Sequence, residues 1–267
     1  MERYTAMADP KPDGVQSVQR ALGLLRLLSQ HDEGMRVSDI ARAAGLPLST
    51  THRLLTTLEI EDFVQFEPER ALWHVGREAF SVGAAFGRRH NFVAPALPLL
   101  RRLRDATRET ANLGLLDRDE LITLGQVGSR EIMRAISAPG GRVPAFCSGM
   151  GKAILATWRD ADIAAFVART GFRPLTGRSH RDLETAMADI TNIRARGYAL
   201  DDEEHVAGLR CVAAVVWSAE GEAACAISIS GVATRLPDDK IEAVGRTVRR
   251  AADELTMRLG GAPPQET

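Results

Sequence analysis

The sequence predicts an α+β protein in two parts: a small, mainly helical unit closed by a β-ribbon, then a larger unit built on an antiparallel sheet. Three observations predict this. Apolar residues recur in steps of three and four from Val18 to Leu58, the period of amphipathic helices. After Glu61-Asp62 the pattern changes to short β-prone runs. Beyond Asn91, strand runs and helix runs are segregated and do not strictly alternate, which argues against a parallel α/β sheet. The 267 residues suit two domains. They divide into a loose lead at 1–14, a first domain at 15–76, a linker helix at 77–90, a second domain at 91–260 and a loose tail at 261–267.

Each element of the first unit has its own reason. Val18, Leu22, Leu25 and Leu28 form one stripe, widened by Ala21 and Leu24, and predict a helix over 15–28. His31-Asp32-Glu33-Gly34 breaks it. A short second helix is expected with Ser38 as N-cap and Ile40, Ala41 and Ala44 inward; Gly45 ends it. Ser49 is the expected N-cap of a third helix running through Leu54, Leu55 and Leu58. Two helices joined by a three- or four-residue turn containing glycine make a helix-turn-helix. Phe63–Phe66 and Ala71–Val75, around the turn Glu67-Pro68-Glu69-Arg70, predict a two-stranded wing.

In the second unit a helix is expected from Pro95 and Pro98 through Leu99, Leu100, Leu103 and Ala106. Strands are expected at 113–116, 121–127 and 132–136, and helices at about 149–157, 160–169 and 180–196. Further strands follow at 198–200, 211–217 and 223–230, then a last helix at 238–258.

Composition bounds the function. Apolar residues are 45% and charged residues 26%, ordinary for a globular protein. Arg, Asp or Gly interrupts every apolar stretch, so no membrane span or membrane partner is expected, and the first fourteen residues lack an apolar signal region. Three scattered cysteines are a poor disulfide framework and point to a reduced, cytoplasmic setting. Net charge is −1, and residues 1–90 hold 11 basic and 12 acidic residues. A nucleic-acid role therefore rests on where the arginines stand, because total charge does not supply it.

The third helix carries the residues for such a role. A helix of this kind sets its N-terminal residues against base edges in the major groove of a DNA duplex. Here these are Ser49, Thr50, Thr51, His52 and Arg53. With Leu54, Leu55 and Leu58 inward, Thr50, Thr51, Arg53 and Thr57 are expected outward. Threonine can bond phosphate or touch a thymine methyl, and Arg53 can pair with guanine. Ser38 and Arg42 could hold phosphate from the preceding helix. The alternative is a helical hairpin with a solvated polar face.

Enzyme chemistry finds little support. Ser148-Gly149-Met150-Gly151-Lys152-Ala153 fails as a phosphate loop, because Phe146 stands at the first glycine position and Ala153 at the hydroxyl position. The nucleophile-elbow pattern is absent. Glu204-His205 near Asp201 offers the only candidate metal set and reads as a solvated turn. No metal, cofactor or catalytic residue is expected.

Taken together, several stretches resemble the isocitrate lyase regulator (IclR) family of bacterial transcription factors over nearly the whole ordered length. They are Val15–Leu22, the helix-turn-helix from Ser38 to Leu58, Ser148–Ala153, Gly197–Glu204, Gly208–Ala213 and Ala226–Gly231. The resemblance implies a GAF-like or profilin-like effector domain and homodimers or homotetramers on partly palindromic operators. It departs at the wing, whose acidic turn lacks the usual glycine and where Trp73-His74 replaces a tyrosine and a basic residue.

The resemblance also implies a pocket for a small 2-oxo acid, glyoxylate or pyruvate, at Gly149, Met150, Asp201, Cys211, Ser228 and Ser230; beside these, Val143 and Leu209 could supply an apolar wall. The residues themselves agree in part. Gly149 and Gly151 stand at an expected helix start, where free N–H groups favour a carboxylate. Ser228 and Ser230 project from one strand face, opposite Ile227 and Ile229; otherwise they form a solvent-facing edge. Cys211 reads as a small buried hydrophobe. Asp201 could accept a hydrogen bond from a hydrated aldehyde, or simply pair with Arg210. Two other functions stay open: sensing of an aromatic acid by a regulator of the same type, and a ligand-binding module that acts through protein partners.

Overall fold

The computed structural model describes residues 14–89, 92–131 and 139–263, and the chain divides between residues 89 and 90 into two compact units. The loose ends expected at 1–14 and 261–267 fall almost wholly outside the described residues.

In the first unit α1 (Gln16–Leu28), α2 (Val37–Ala44) and α3 (Leu48–Ile60) precede β1 (Val64–Glu67), β2 (Leu72–Val75) and α4 (Arg77–Arg89). Helices this short are marginal in water alone. They are held by a shared core of Leu24 and Leu28 from α1, Ile40 from α2, Leu55 from α3, and Val64 and Trp73 from the ribbon. The ribbon is also tied to the entrance of α2, where Met35 and Trp73 exchange backbone hydrogen bonds of 3.0 and 2.8 Å.

Gly45 closes α2 in the left-handed region at φ +63°, as a C-cap glycine should. The starts of α2 and α3 differ from expectation. The N-caps are Arg36 and Pro47, not Ser38 and Ser49, and neither cap uses a side chain. The Pro47 carbonyl accepts both the N–H and the hydroxyl of Thr51, at 3.0 and 3.1 Å. Thr51 is consequently 0% exposed. It stands four residues before Leu55 and seven before Leu58, on the inward stripe. In the wing, Ala71 occupies the left-handed region at φ +53°, the position left strained by the missing glycine.

The second unit begins with α5 (Val93–Thr107), β3 (Thr110–Asp117), β4 (Glu120–Val127) and β5 (Arg142–Pro144). After a 3₁₀ turn at Ala145–Cys147 come α6 (Gly149–Leu155), α7 (Asp160–Thr170) and α8 (Leu183–Arg196). Then follow β6 (Ala199–Asp202), β7 (Leu209–Trp217), β8 (Ala223–Val232) and α9 (Asp238–Arg258). Among the described residues the strands form one antiparallel sheet in the order β5-β4-β3-β8-β7-β6. The edge strand β5 was not anticipated, and the strand expected at 132–136 lies outside the described residues.

Both faces of this sheet are covered. Leu99, Leu100 and Leu103 of α5 and Val248 and Leu255 of α9 pack with Val212, Ile227 and Ile229 on one side. Met150 and Ile154 of α6, Ile163 and Phe166 of α7 and Ile190 and Ile193 of α8 pack with Ala199, Ala213 and Ala226 on the other. Strand alternation therefore sends Ser228 and Ser230 to the α6 side. Facing rows run across the strands there: Asp201 beside Cys211 beside Ser230, and Ala213 beside Ser228 beside Asn112. These polar groups lie under α6.

Candidate functional site

Two surfaces carry the chemistry, one in each unit. On α3, Ser49, His52, Arg53 and Thr57 are exposed and Thr50 is half-buried. Thr51 is not available, since it is buried against Pro47. The Thr57 hydroxyl donates to the Arg53 carbonyl at 2.9 Å, which leaves its oxygen lone pairs and methyl outward. The His52 ring meets Trp73 edge-on at 6.4 Å between centroids, coupling the helix to the wing. Arg53 makes no ion pair among the described residues. Arg42 is exposed but sits 3.2 Å from Asp39, and Ser38 beside it is exposed.

In the second unit a cavity of about 60 Å³ opens where β6, β7 and β8 meet the start of α6. Six of the eight residues expected there line it: Val143, Met150, Asp201, Leu209, Cys211 and Ser230. Gly149 and Ser228 do not reach it. Gly149 serves close packing, because a Cβ there would lie 3.1 Å from the Cys211 carbonyl oxygen. Ser228 is 0% exposed and its hydroxyl accepts from Asn112 Nδ2 at 3.3 Å. The same Asn112 nitrogen donates to Ser230 at 3.1 Å, and Gln126 Nε2 donates to Asn112 Oδ1 at 3.2 Å.

Sequence reasoning missed Asn112, Thr123, Ser148, His205 and Val206, which also line the cavity. Asn112 had one available signal, a polar residue inside an otherwise apolar strand. The expected anion site at the helix start is also modified. Helix α6 has only seven residues, and the Gly151 N–H is taken by the capping Ser148 hydroxyl at 3.3 Å.

Asp201 is 5% exposed. Its Oδ1 accepts from the N–H of Glu204 at 2.7 Å and of His205 at 3.3 Å. Burial, reinforced by the charge of Glu204, outweighs these bonds and the pull of Lys152, so its carboxyl is pushed up to about 7. Arg210 is not its partner; that guanidinium lies 2.6 Å from Asp202 and 2.7 Å from Asp238. Nor do Asp201, Glu204 and His205 form a solvated turn. Glu204 is 5% exposed, and its Oε1 lies 2.6 Å from the Lys152 ammonium, which also meets Asp189 at 2.6 Å.

His180, Asp189 and Glu204 bring their ligand atoms within 4.8 Å of one another, but the Lys152 ammonium already supplies the cation there. For Asp189, burial works upward and is overcome by His180 and Lys152, which hold it at about 2. The three cysteines are free. Burial, with Asp201 nearby, pushes the Cys211 thiol up to about 11, so it is a compact apolar neighbour and not a nucleophile. The arrangement can hold a very small polar ligand against hydroxyl, amide and carboxyl groups. The Cys211 thiol there is not an activated nucleophile.

Two family models match the chain, one largely in each unit. Residues 17–68 match the model of the IclR helix-turn-helix domain, and residues 85–257 match that of the bacterial transcriptional regulator IclR C-terminal domain. The chain is 39% identical to the HTH-type transcriptional regulator BhcR of Paracoccus denitrificans over 253 residues, 95% of this chain and 90% of that one. It is 38% identical to the acetate operon repressor of Salmonella typhimurium over 261 residues, covering 96% and 94%. In fold it is similar to the crystal structure of the Thermotoga maritima IclR, with a TM-score of 0.76, 25% identity and coverage of 91% and 98%. No helix among the described residues is long and apolar enough to cross a membrane.

Proposed function

Because the chain belongs to the IclR family of bacterial transcriptional regulators, we propose that it reads operator DNA with α3 and tunes that binding with a two- or three-carbon 2-oxo acid held beside Asp201. The coarser part of this follows from membership: it is an effector-modulated DNA-binding regulator and not an enzyme.

The cavity supports the finer part. A cavity of about 60 Å³, where about 10–15 Å³ is enough to hold one water, suits a compact ligand of a few non-hydrogen atoms. Ser230, Asn112 and the Asp201 carboxyl supply the polar groups, and Val143, Met150 and Leu209 the apolar wall. One relative is named for the acetate operon, which fits a sensor of two-carbon metabolism. Glyoxylate and pyruvate are the effectors of choice.

DNA is engaged by the exposed Ser49, His52, Arg53 and Thr57 with the half-buried Thr50 on α3, and by Ser38 and Arg42 on α2. Two copies of the chain set these helices on half-sites about one helical turn apart or a multiple of it. The effector shifts operator occupancy only by its differential affinity for the DNA-competent and incompetent states. Calorimetry tests the choice of effector. Heat with glyoxylate or pyruvate, and none with benzoate, is the expected outcome; binding of benzoate alone overturns it.

A further inference from the structure

Lys152 has no place in the cavity wall, yet it is 1% exposed and charged. Such a group is tolerated only when its bonds are complete, and here they are. Its three N–H bonds meet three acceptors: the Leu200 carbonyl at 2.7 Å, Glu204 Oε1 at 2.6 Å and Asp189 Oδ2 at 2.6 Å. Leu200 stands one residue before Asp201 and Glu204 three after it. The Glu204 N–H then donates to Asp201 itself. The lysine stem rises from α6, the helix that brings Met150 to the cavity and whose capping residue, Ser148, lines it too.

We infer that Lys152 is a positioning residue for the effector: it ties the chain on both sides of Asp201 to α6, and so sets where the Asp201 carboxyl stands in the cavity. This inference rests on the small-anion reading above. Among the described residues no other side chain bonds to both Leu200 and Glu204. The remaining groups around Asp201 are arranged differently. Glu204 and His205 come from the following loop, Cys211 and Arg210 from β7, and Cys147 from the 3₁₀ turn. Asp189 of α8 and His180 from the loop before it stand close to both the lysine and Glu204.

The test measures glyoxylate affinity on both sides of neutral pH, with thermal melts of the same samples. Glu204→Gln keeps an acceptor for Lys152 but removes a charge that opposes ionisation of Asp201. Its affinity at acid pH is expected to match the wild type, while the fall at alkaline pH begins lower. Lys152→Met combined with Glu204→Gln removes one charge of each sign and releases both flanks. It is expected to lose about tenfold or more in affinity at every pH, the scale of lost outer-shell support, while remaining folded.

A folded double variant that binds like the wild type overturns the inference, because a merely structural lysine would affect melting alone. If the double variant does not fold, Lys152→Gln decides: folded protein with wild-type affinity at every pH overturns the inference. Wild-type protein that takes up no oxo acid removes the effector reading and this inference together. Wild-type binding with both variants unchanged removes only the inference.

Discussion

Asp201 shows how burial converts an unfavourable residue into a usable one. An ionised carboxylate would repel an anionic effector, but a carboxyl pushed up to about 7 by burial is half neutral near physiological pH. On the proposed reading an anionic effector binds best beside the neutral form, so affinity should be highest below about pH 7 and fall up to about tenfold per unit above it. Stability has a related dependence. The folded chain holds this proton above the ordinary value of 3.8, so the stabilisation is complete below that value and is lost as pH rises through about 7. Asp201→Asn should flatten the affinity profile and raise stability at pH 8 by roughly 1–3 kcal/mol, read by calorimetry and thermal melting. A variant with the wild-type profile would show that another group titrates. At this scale the sequence was partly legible. The family resemblance pointed to Asp201, but its raised carboxyl depends on burial and on the charges of Glu204 and Lys152, which only the fold brings together. Thr51 was legible in principle, since the count that turns Leu55 and Leu58 inward turns it inward too.

Among the elements, helices and strands were read where periodicity was long and clean, as in α1, α9 and the β7–β8 pair. The two helix starts were displaced because their caps use backbone carbonyls, which side-chain rules do not detect. Strand β5 is three residues long and too short to show alternation. The wing supplies the prediction for this scale. Ala71 at φ +53° bears a left-handed cost of roughly 1–2 kcal/mol, only partly offset by the extra chain entropy that glycine would lose. Ala71→Gly should therefore stabilise the first unit by roughly 0.5–1 kcal/mol, seen as a higher melting temperature. An unchanged or lower value would mean that the turn relaxes without help from a glycine.

For the whole molecule, charge and fold make separate statements. A net charge of −1 gives no long-range attraction to DNA, so affinity must come from local contacts. Binding should still weaken with salt, with a slope of about 0.9 per phosphate neutralised. Arg42→Ala should reduce that slope by about one. Arg53→Ala, at the base edge proposed for it, should instead cost roughly 1–3 kcal/mol on the operator and relax one position of its sequence. Fluorescence anisotropy across a salt series distinguishes the two, and an Arg53 variant that weakens all duplexes equally would reassign that residue to the backbone. A wild-type chain with no duplex binding at any salt would instead favour action through protein partners. The two-part α+β plan was legible from segregated strand and helix runs. The sheet order was not, because β3 pairs with β8 across more than a hundred residues and no local pattern encodes that partnership.

The alternation of β8 has an evolutionary consequence. Ile227 and Ile229 face the α5–α9 side while Ser228 and Ser230 face the α6 side. Exchanging Ser230, which lines the cavity, would alter its polar wall and leave the hydrophobic layer intact. Adding or deleting a single codon within the strand would invert both sets at once, placing hydroxyls in the oil and isoleucines in the ligand chamber. Lineages of this protein can therefore diversify the strand by substitution, but its length is closed to change.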